Sequence, residues 1–160
     1  MEIALVDAGE ERRESFTRFF SEAEPRLRHA FIARYGLDVG REVTADALTY
    51  GWEHWERVRA MDNSIGYLYR VGRTSFRRYR RKPTGTGLPS HREPWFEPAL
   101  PGALAQLSER QRVTVVLKHS FKWTFAEIAD LLGISIPSAQ KHERRALAKL
   151  RKELGVEIHA

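Results

Sequence analysis

The sequence predicts an all-α protein of two small helical domains joined by a flexible linker, and three observations carry that expectation. Apolar residues recur at helical spacing in several long runs, from Phe16, Phe19 and Phe20 to Leu147, Leu150 and Leu154. One stretch, residues 83–99, breaks every period with four prolines and two glycines, as a linker does. Beyond it, a run from Trp123 to Arg151 has the form of two helices around a tight turn. The expected boundaries are 10–82 for the first domain, 83–99 for the linker and 100–155 for the second.

Residues 1–12 have weak pattern and read as a frayed start. From Ser15, the positions Phe16, Phe19, Phe20, Ala23, Leu27, Ala30 and Phe31 share a helix face. Pro25 lies inside that run, so either the helix kinks or two helices meet. Gly36 and Gly40 bracket a short connection. A second helix follows, with Val43, Ala47, Tyr50, Gly51, Trp55 and Val58 inward. Its outer face carries Glu42, Asp46, Thr49, Glu53 and Glu56, an acidic stripe. A solvated face gives the same pattern, but acids repel phosphate, so any partner of this stripe is a basic protein surface.

A loop from Arg59 leads to Asn63 or Ser64, either able to cap a third helix. That helix is expected to bury Leu68, Val71, Ser75 and Tyr79 and to align Arg70, Arg73 and Arg77. Arg73 through Lys82 hold six cations in ten residues, interleaved with Phe76 and Tyr79. Cations among aromatics suit single-stranded nucleic acid, where bases stack on rings and the backbone meets charge. Tyr79 reads as core, and Phe76 is open to either role. In the linker, Trp95 and Phe96 need shelter against a surface.

Leu100, Leu104 and Leu107 predict a short helix, and Ser108 with Gln111 a capping box opening a helix to about Ser120. Thr124 with Glu127 predicts another. Gly133 supplies the turn, Ser135 the next N-cap, and Pro137 sits where its missing N–H is harmless. Ala129, Gly133 and Ala139 are small enough for two helices to cross closely. Ile136, Ala139, Ala146, Leu147, Leu150 and Leu154 fall on one side of the last helix. Lys141, Arg144 and Arg145 fall on the other with Ser138, flanked by Gln140 and His142. A helix apolar behind and basic in front suits a DNA major groove.

Charge divides the chain. Residues 1–58 hold 8 Arg against 12 acids, whereas residues 59–160 hold 19 Lys and Arg against 9, which pairs a nucleic-acid surface with an electrostatically opposite contact. The chain has no cysteine, no apolar run of membrane-spanning length and no signal-peptide pattern, so a cytoplasmic protein without membrane insertion is expected. It carries no phosphate-binding glycine loop, HExxH, paired-cysteine site or GxSxG elbow, and its six histidines have no ligand spacing. Neither an enzyme, nor a metal site, nor a cofactor is expected.

In this order the parts resemble the sigma-70 family of bacterial RNA polymerase initiation factors, in the compact extracytoplasmic-function (ECF) form with regions 2 and 4. The resemblance covers roughly residues 14–154. It rests on Pro25-Arg26-Leu27, Gly51-Trp52 and Tyr67 to Arg73 in region 2. In region 4 it rests on Leu107 to Arg112, the helix-turn-helix and its Arg145 to Arg151 tail. The resemblance implies that region 4 reads a −35 element through Ser138, Gln140, Lys141, Arg144 and Arg145. Region 2 would recognise and melt a −10 element through Asn63, Ser64, Arg70, Arg73, Thr74, Arg77 and Arg78. Glu42, Asp46, Thr49 and Glu53 would dock on core RNA polymerase, and the linker would thread toward the active site. The implied partners are core polymerase, promoter DNA and an anti-sigma protein.

Three positions depart from the family pattern. Ala45 precedes Asp46 where glutamine is usual, Thr74 stands for asparagine, and Glu143 replaces an apolar residue, so it needs a partner or an exposed edge. The competing readings are a stand-alone helix-turn-helix regulator and an interaction module without promoter recognition.

Overall fold

The computed structural model describes residues 2–79 and 99–155, with side chains excepted at Glu2 and at residues 77–79. Every element among the described residues is helical: α1 (Glu2–Tyr35), α2 (Leu37–Glu53), α3 (Trp55–Val58), α4 (Ser64–Tyr79), α5 (Leu100–Ala105), α6 (Glu109–His119), α7 (Phe125–Leu132) and α8 (Ile136–Leu154). The linker expectation, with Trp95 and Phe96, lies almost wholly outside them.

Residues 2–12 are helical rather than frayed, as part of a 34-residue α1 that runs through Pro25, so one helix and not two occupies this stretch. Sequence pattern missed its start because residues 3–11 bury almost nothing; Ile3, Leu5 and Val6 are largely exposed. The extension is tied down only from Arg12, which donates to the Trp52 carbonyl at 2.6 Å with its guanidinium over the indole.

Glycine positions the first hairpin in two ways. Gly36 takes φ 87°, open to a residue without Cβ, and reverses the chain in one step between α1 and α2. Gly40 is not in the connection but inside α2 and buried. A Cβ there would lie 2.7 Å from the Ile32 backbone nitrogen, so its absence lets the two helix backbones touch. Gly40→Ala is expected to lose about 1–3 kcal/mol to overpacking, more than the ~1 kcal/mol that alanine returns in helix propensity. Thermal unfolding followed by circular dichroism checks it, and an unchanged or higher Tm contradicts the close approach.

The second helix also ends earlier than expected, at Glu53. His54 breaks it, and α3 turns Trp55 back against α1, where its indole donates to Ser15 Oγ at 2.8 Å and meets Phe16 edge-on at 5.2 Å. Leu27, Phe31, Val43, Val58, Leu68 and Tyr69 complete this core. On α4 the inner face carries Leu68, Tyr69 and Gly72, while Val71 and Ser75, expected inside, are only half-buried. Phe76 stacks on Tyr35 with ring centroids 3.8 Å apart, so it serves packing rather than an open stacking platform.

In the second half, local signals are realised as written. Ser108 and Gln111 form the full reciprocal capping box. Thr124 accepts from the Glu127 N–H at 3.1 Å, the half of its box that forms. Gly133 adopts φ 65° and Gly155 φ 65°, each ending a helix in the left-handed conformation. Gly133 serves the turn alone, since a Cβ there would meet nothing within 4 Å. Ala103, Leu107, Val115, Ala146 and Leu150 pack α5, α6 and α8 together. The opposite side of α6 and α7, with Val113, Leu117, Trp123, Ile128 and Leu131, joins the α1–α4 core in one continuous cluster.

Candidate nucleic-acid and protein interfaces

The helix-turn-helix presents a cationic front. Ser135 caps α8 by accepting from the Ser138 N–H at 3.2 Å, and its hydroxyl lies 2.8 Å from Ser138 Oγ, which orients both at the helix start. Lys141, Arg144 and Arg145 are exposed, while Ser138 and Gln140 are half-buried. Ala139, Ala146 and Leu150 are buried behind them; Ile136, expected on that side, is 45% exposed. His142 stands within this field. Burial, then Arg110, Arg145 and Lys141, lowers its pKa from the ordinary value, which favours the neutral imidazole. Glu143 has the partner its position requires, since its carboxylate lies 3.0 Å from His119 Nε2 on α6.

At the start of α4, Asn63 caps the helix by accepting from the Gly66 N–H at 2.9 Å. Ser64 turns inward and donates to Val58 and Met61 carbonyls. Of the cationic set, Arg70 and Thr74 are exposed on the same face, whereas the Arg73 guanidinium lies 5.9 Å over the Tyr69 ring and its Nε is buried. Arg77 and Arg78 belong to the last turn of α4, but their side chains lie outside the described residues.

Sequence reasoning misses two aromatic neighbours of Arg70 and Thr74. An open cavity of about 430 Å³ is lined by Tyr50, Tyr67, Arg70, Val71, Thr74 and Ser75. The two phenol oxygens are 3.1 Å apart, and Arg57 donates to both. Spacing alone places Tyr50 on the inner face of α2. Only the packing of α2 against α4 reveals that it borders this cavity.

The acidic stripe survives on α2 but is shortened. Glu42, Thr49 and Glu53 are exposed and Asp46 is half-buried, whereas Glu56 falls on α3 beyond the break and pairs with Arg59 at 3.7 Å. Thr49 donates its hydroxyl to the Ala45 carbonyl, which leaves the carboxylates as the charged feature of the face. Among the described residues, no group of acids, histidines or cysteines could hold a metal ion, and no helix is long and apolar enough to cross a membrane.

A capped helix-turn-helix with a cationic front is carried beside a helical bundle with an acidic face. Residues 99–150 match the family described as Sigma-70, region 4. The ECF RNA polymerase sigma factor SigG of Mycobacterium tuberculosis, in strains CDC 1551 / Oshkosh and ATCC 25618 / H37Rv, is 25% identical over 188 residues. That match covers 91% of this chain and 50% of SigG, so the chain spans about half the length of the curated relatives it matches. The sigma factor RpoE from Bartonella quintana, solved with the anti-sigma factor NepR, superposes with a TM-score of 0.60 at 19% identity. It covers 91% of this chain and 99% of that one, a likeness of fold. Residues 99–150 thus carry a Sigma-70 region 4 match, and the chain is similar over most of its length to sigma factors of the extracytoplasmic-function group.

Proposed function

We propose that this protein binds core RNA polymerase and directs promoter-specific initiation, catalysing nothing itself. The observation that carries the reading is the preorganised α8 surface, whose exposed Lys141, Arg144 and Arg145 stand opposite a packed apolar side. Its first turn, with Ser138 and Gln140, meets base edges of a −35 duplex while the later cations meet phosphates. Region 2 takes the −10 element. Asn63, Ser64, Arg70, Arg73, Thr74, Arg77 and Arg78 form the proposed contact set, and Tyr50 and Tyr67 add rings on which an unpaired base can stack. Glu42, Asp46, Thr49 and Glu53 form the polymerase contact, a role supported by their shared face and by the negative charge of its three carboxylates. Residues 83–99 form the connection between the two promoter contacts.

The proposed location is the cytoplasm, where polymerase and promoter are. An anti-sigma protein is a further proposed partner, on the strength of the complex in which the Bartonella relative was solved. The test is reconstitution: added to core polymerase, the purified protein should yield transcripts from a subset of promoters in a genomic template library, with none from core alone. Specific duplex binding without polymerase, and no transcripts with it, would instead favour a stand-alone regulator.

A further inference from the structure

Tyr50 and Tyr67 are only half-buried, so packing by itself leaves both rings free to change rotamer. A third residue fixes them. Arg57 donates from one nitrogen, Nη2, to both phenol hydroxyls, reaching that of Tyr67 at 3.0 Å, and the two phenol oxygens lie 3.1 Å apart. Its guanidinium also stands over the Tyr67 ring, 5.9 Å from the centroid. On the other ring, His54 stacks against Tyr50 with centroids 4.1 Å apart and donates from Nδ1 to the Tyr50 carbonyl at 3.0 Å.

Neither Arg57 nor His54 lines the cavity that the two tyrosines border. Each therefore holds its ring from outside and leaves the cavity side open. With His54 against it, the Tyr50 ring keeps one face for a planar partner. Tyr67 meets Tyr50 at a tilt of 50° rather than in a stack, so the two rings do not satisfy one another.

The break in α2 is what places Arg57. The His54 N–H closes on the Tyr50 carbonyl at 3.0 Å, and the Arg57 N–H on the His54 carbonyl at 3.1 Å, so α3 is tied to the turn that carries Tyr50. Trp55 and Val58 are buried, which fixes the single turn of α3. Arg57 follows Trp55 by two residues, about 200° round the helix, so burying Trp55 turns Arg57 outward. From there its side chain reaches both hydroxyls at once.

We infer that Arg57 is a positioning residue for the unpaired-base contact: it holds the Tyr50 and Tyr67 rings as preset walls of the cavity and does not itself meet the nucleic acid. Its role rests on the −10 contact proposed above. Rings fixed beforehand lose little freedom when a base enters, and the gain in affinity comes from that. The competing role for an exposed guanidinium is a phosphate contact, and the two roles differ in what they do to salt dependence.

The probe is single-stranded DNA of random sequence carrying one 2-aminopurine, whose fluorescence reports stacking. It is titrated with the full-length protein, alone and with core polymerase. Arg57→Ala should weaken binding about 10-fold, the part of base stacking that depends on fixed rings. The slope of log K against log salt should stay that of the parent. Tyr50→Phe with Tyr67→Phe keeps both rings and removes only the hydroxyls, and it should weaken binding by a similar factor. Adding Arg57→Ala to that pair should then cost nothing more, because the three groups act as one unit. Arg57 is exposed and phenylalanine keeps the ring, so every variant should fold, which circular dichroism checks.

Unchanged affinity in Arg57→Ala would overturn the positioning role. So would a slope reduced by ~0.7, the mark of one lost single-strand phosphate contact, or an equal further loss in the phenylalanine background. No fluorescence change with the parent, with or without polymerase, would remove the stacking role and Arg57 with it. Should the parent capture the base while polymerase yields no transcripts, the promoter reading fails and the same titrations still decide what Arg57 does.

Discussion

Reversing Glu42 and Glu53 to arginine together is expected to abolish co-purification with core polymerase while leaving the fold intact. Both carboxylates are exposed on α2 and eleven residues apart, so they share one face three turns along the helix. Neither contributes to the core, which α2 supplies through Val43, Ala47 and Leu48 on its other side. Exposed substitutions of this kind change stability by no more than about 0.5 kcal/mol each. Docking is another matter. If a basic polymerase surface meets the stripe, two attractive pairs become like-charge clashes, each costing several kcal/mol, and a fall of more than ~100-fold in affinity follows. Binding of −35 duplex is expected to be unchanged in the same protein. Undiminished polymerase binding by the folded double variant would remove the stripe from the docking surface.

Replacing Arg144 and Arg145 with alanine is expected to weaken −35 duplex binding and to flatten its salt dependence. Both side chains are exposed on α8, beyond the turn whose Ser135 and Ser138 fix the helix start. A lysine or arginine on a phosphate releases condensed counterions, and the slope of log K against log salt falls by ~0.9 for each phosphate no longer neutralised. Two such phosphates therefore predict a reduction of ~1.8. If instead one arginine reads a base edge, the slope falls by half as much and discrimination between −35 sequences drops with it. Alanine favours helix, so α8 should not suffer. An unchanged affinity together with an unchanged slope would show that this front of α8 does not face DNA.

The cavity beside Arg70 illustrates where sequence reasoning stops. Spacing along α2 places Tyr50 among the core residues, because Val43, Ala47 and Gly51 recur at the same helical interval. Helical periodicity reports which residues share a face, but the face is wide, and its edge is inside or outside according to what packs there. Here α4 brings Tyr67 to Tyr50, and Arg57 from α3 bonds to both hydroxyls, so the edge becomes a polar-mouthed cavity. Phe76 is the converse. Its setting among arginines leaves it free to be a stacking platform, and Tyr35 at the end of α1 claims it for packing.

Helix order, the caps of the second half, the turn of the helix-turn-helix and the sign of each surface were all legible in the sequence alone. Each is set by neighbours a few residues apart. Ser108 and Gln111, Ser135 and Ser138, and the left-handed glycines at 133 and 155 satisfy or reverse the backbone within a single turn, whatever lies beyond. Tertiary structure alone decided the rest: that α1 continues through Pro25, that Gly40 admits the Ile32 backbone, that α2 stops at His54 so Trp55 can turn inward, and that α6 and α7 seat on the α1–α4 bundle. These features rest on pairs far apart in the chain, such as Arg34 with Glu109 and Asn63 with Asp130, 75 and 67 residues distant. Nothing local in either partner encodes the other. Such contacts exist only once helices have been brought together by burial of their apolar faces, and burial carries no residue-by-residue address.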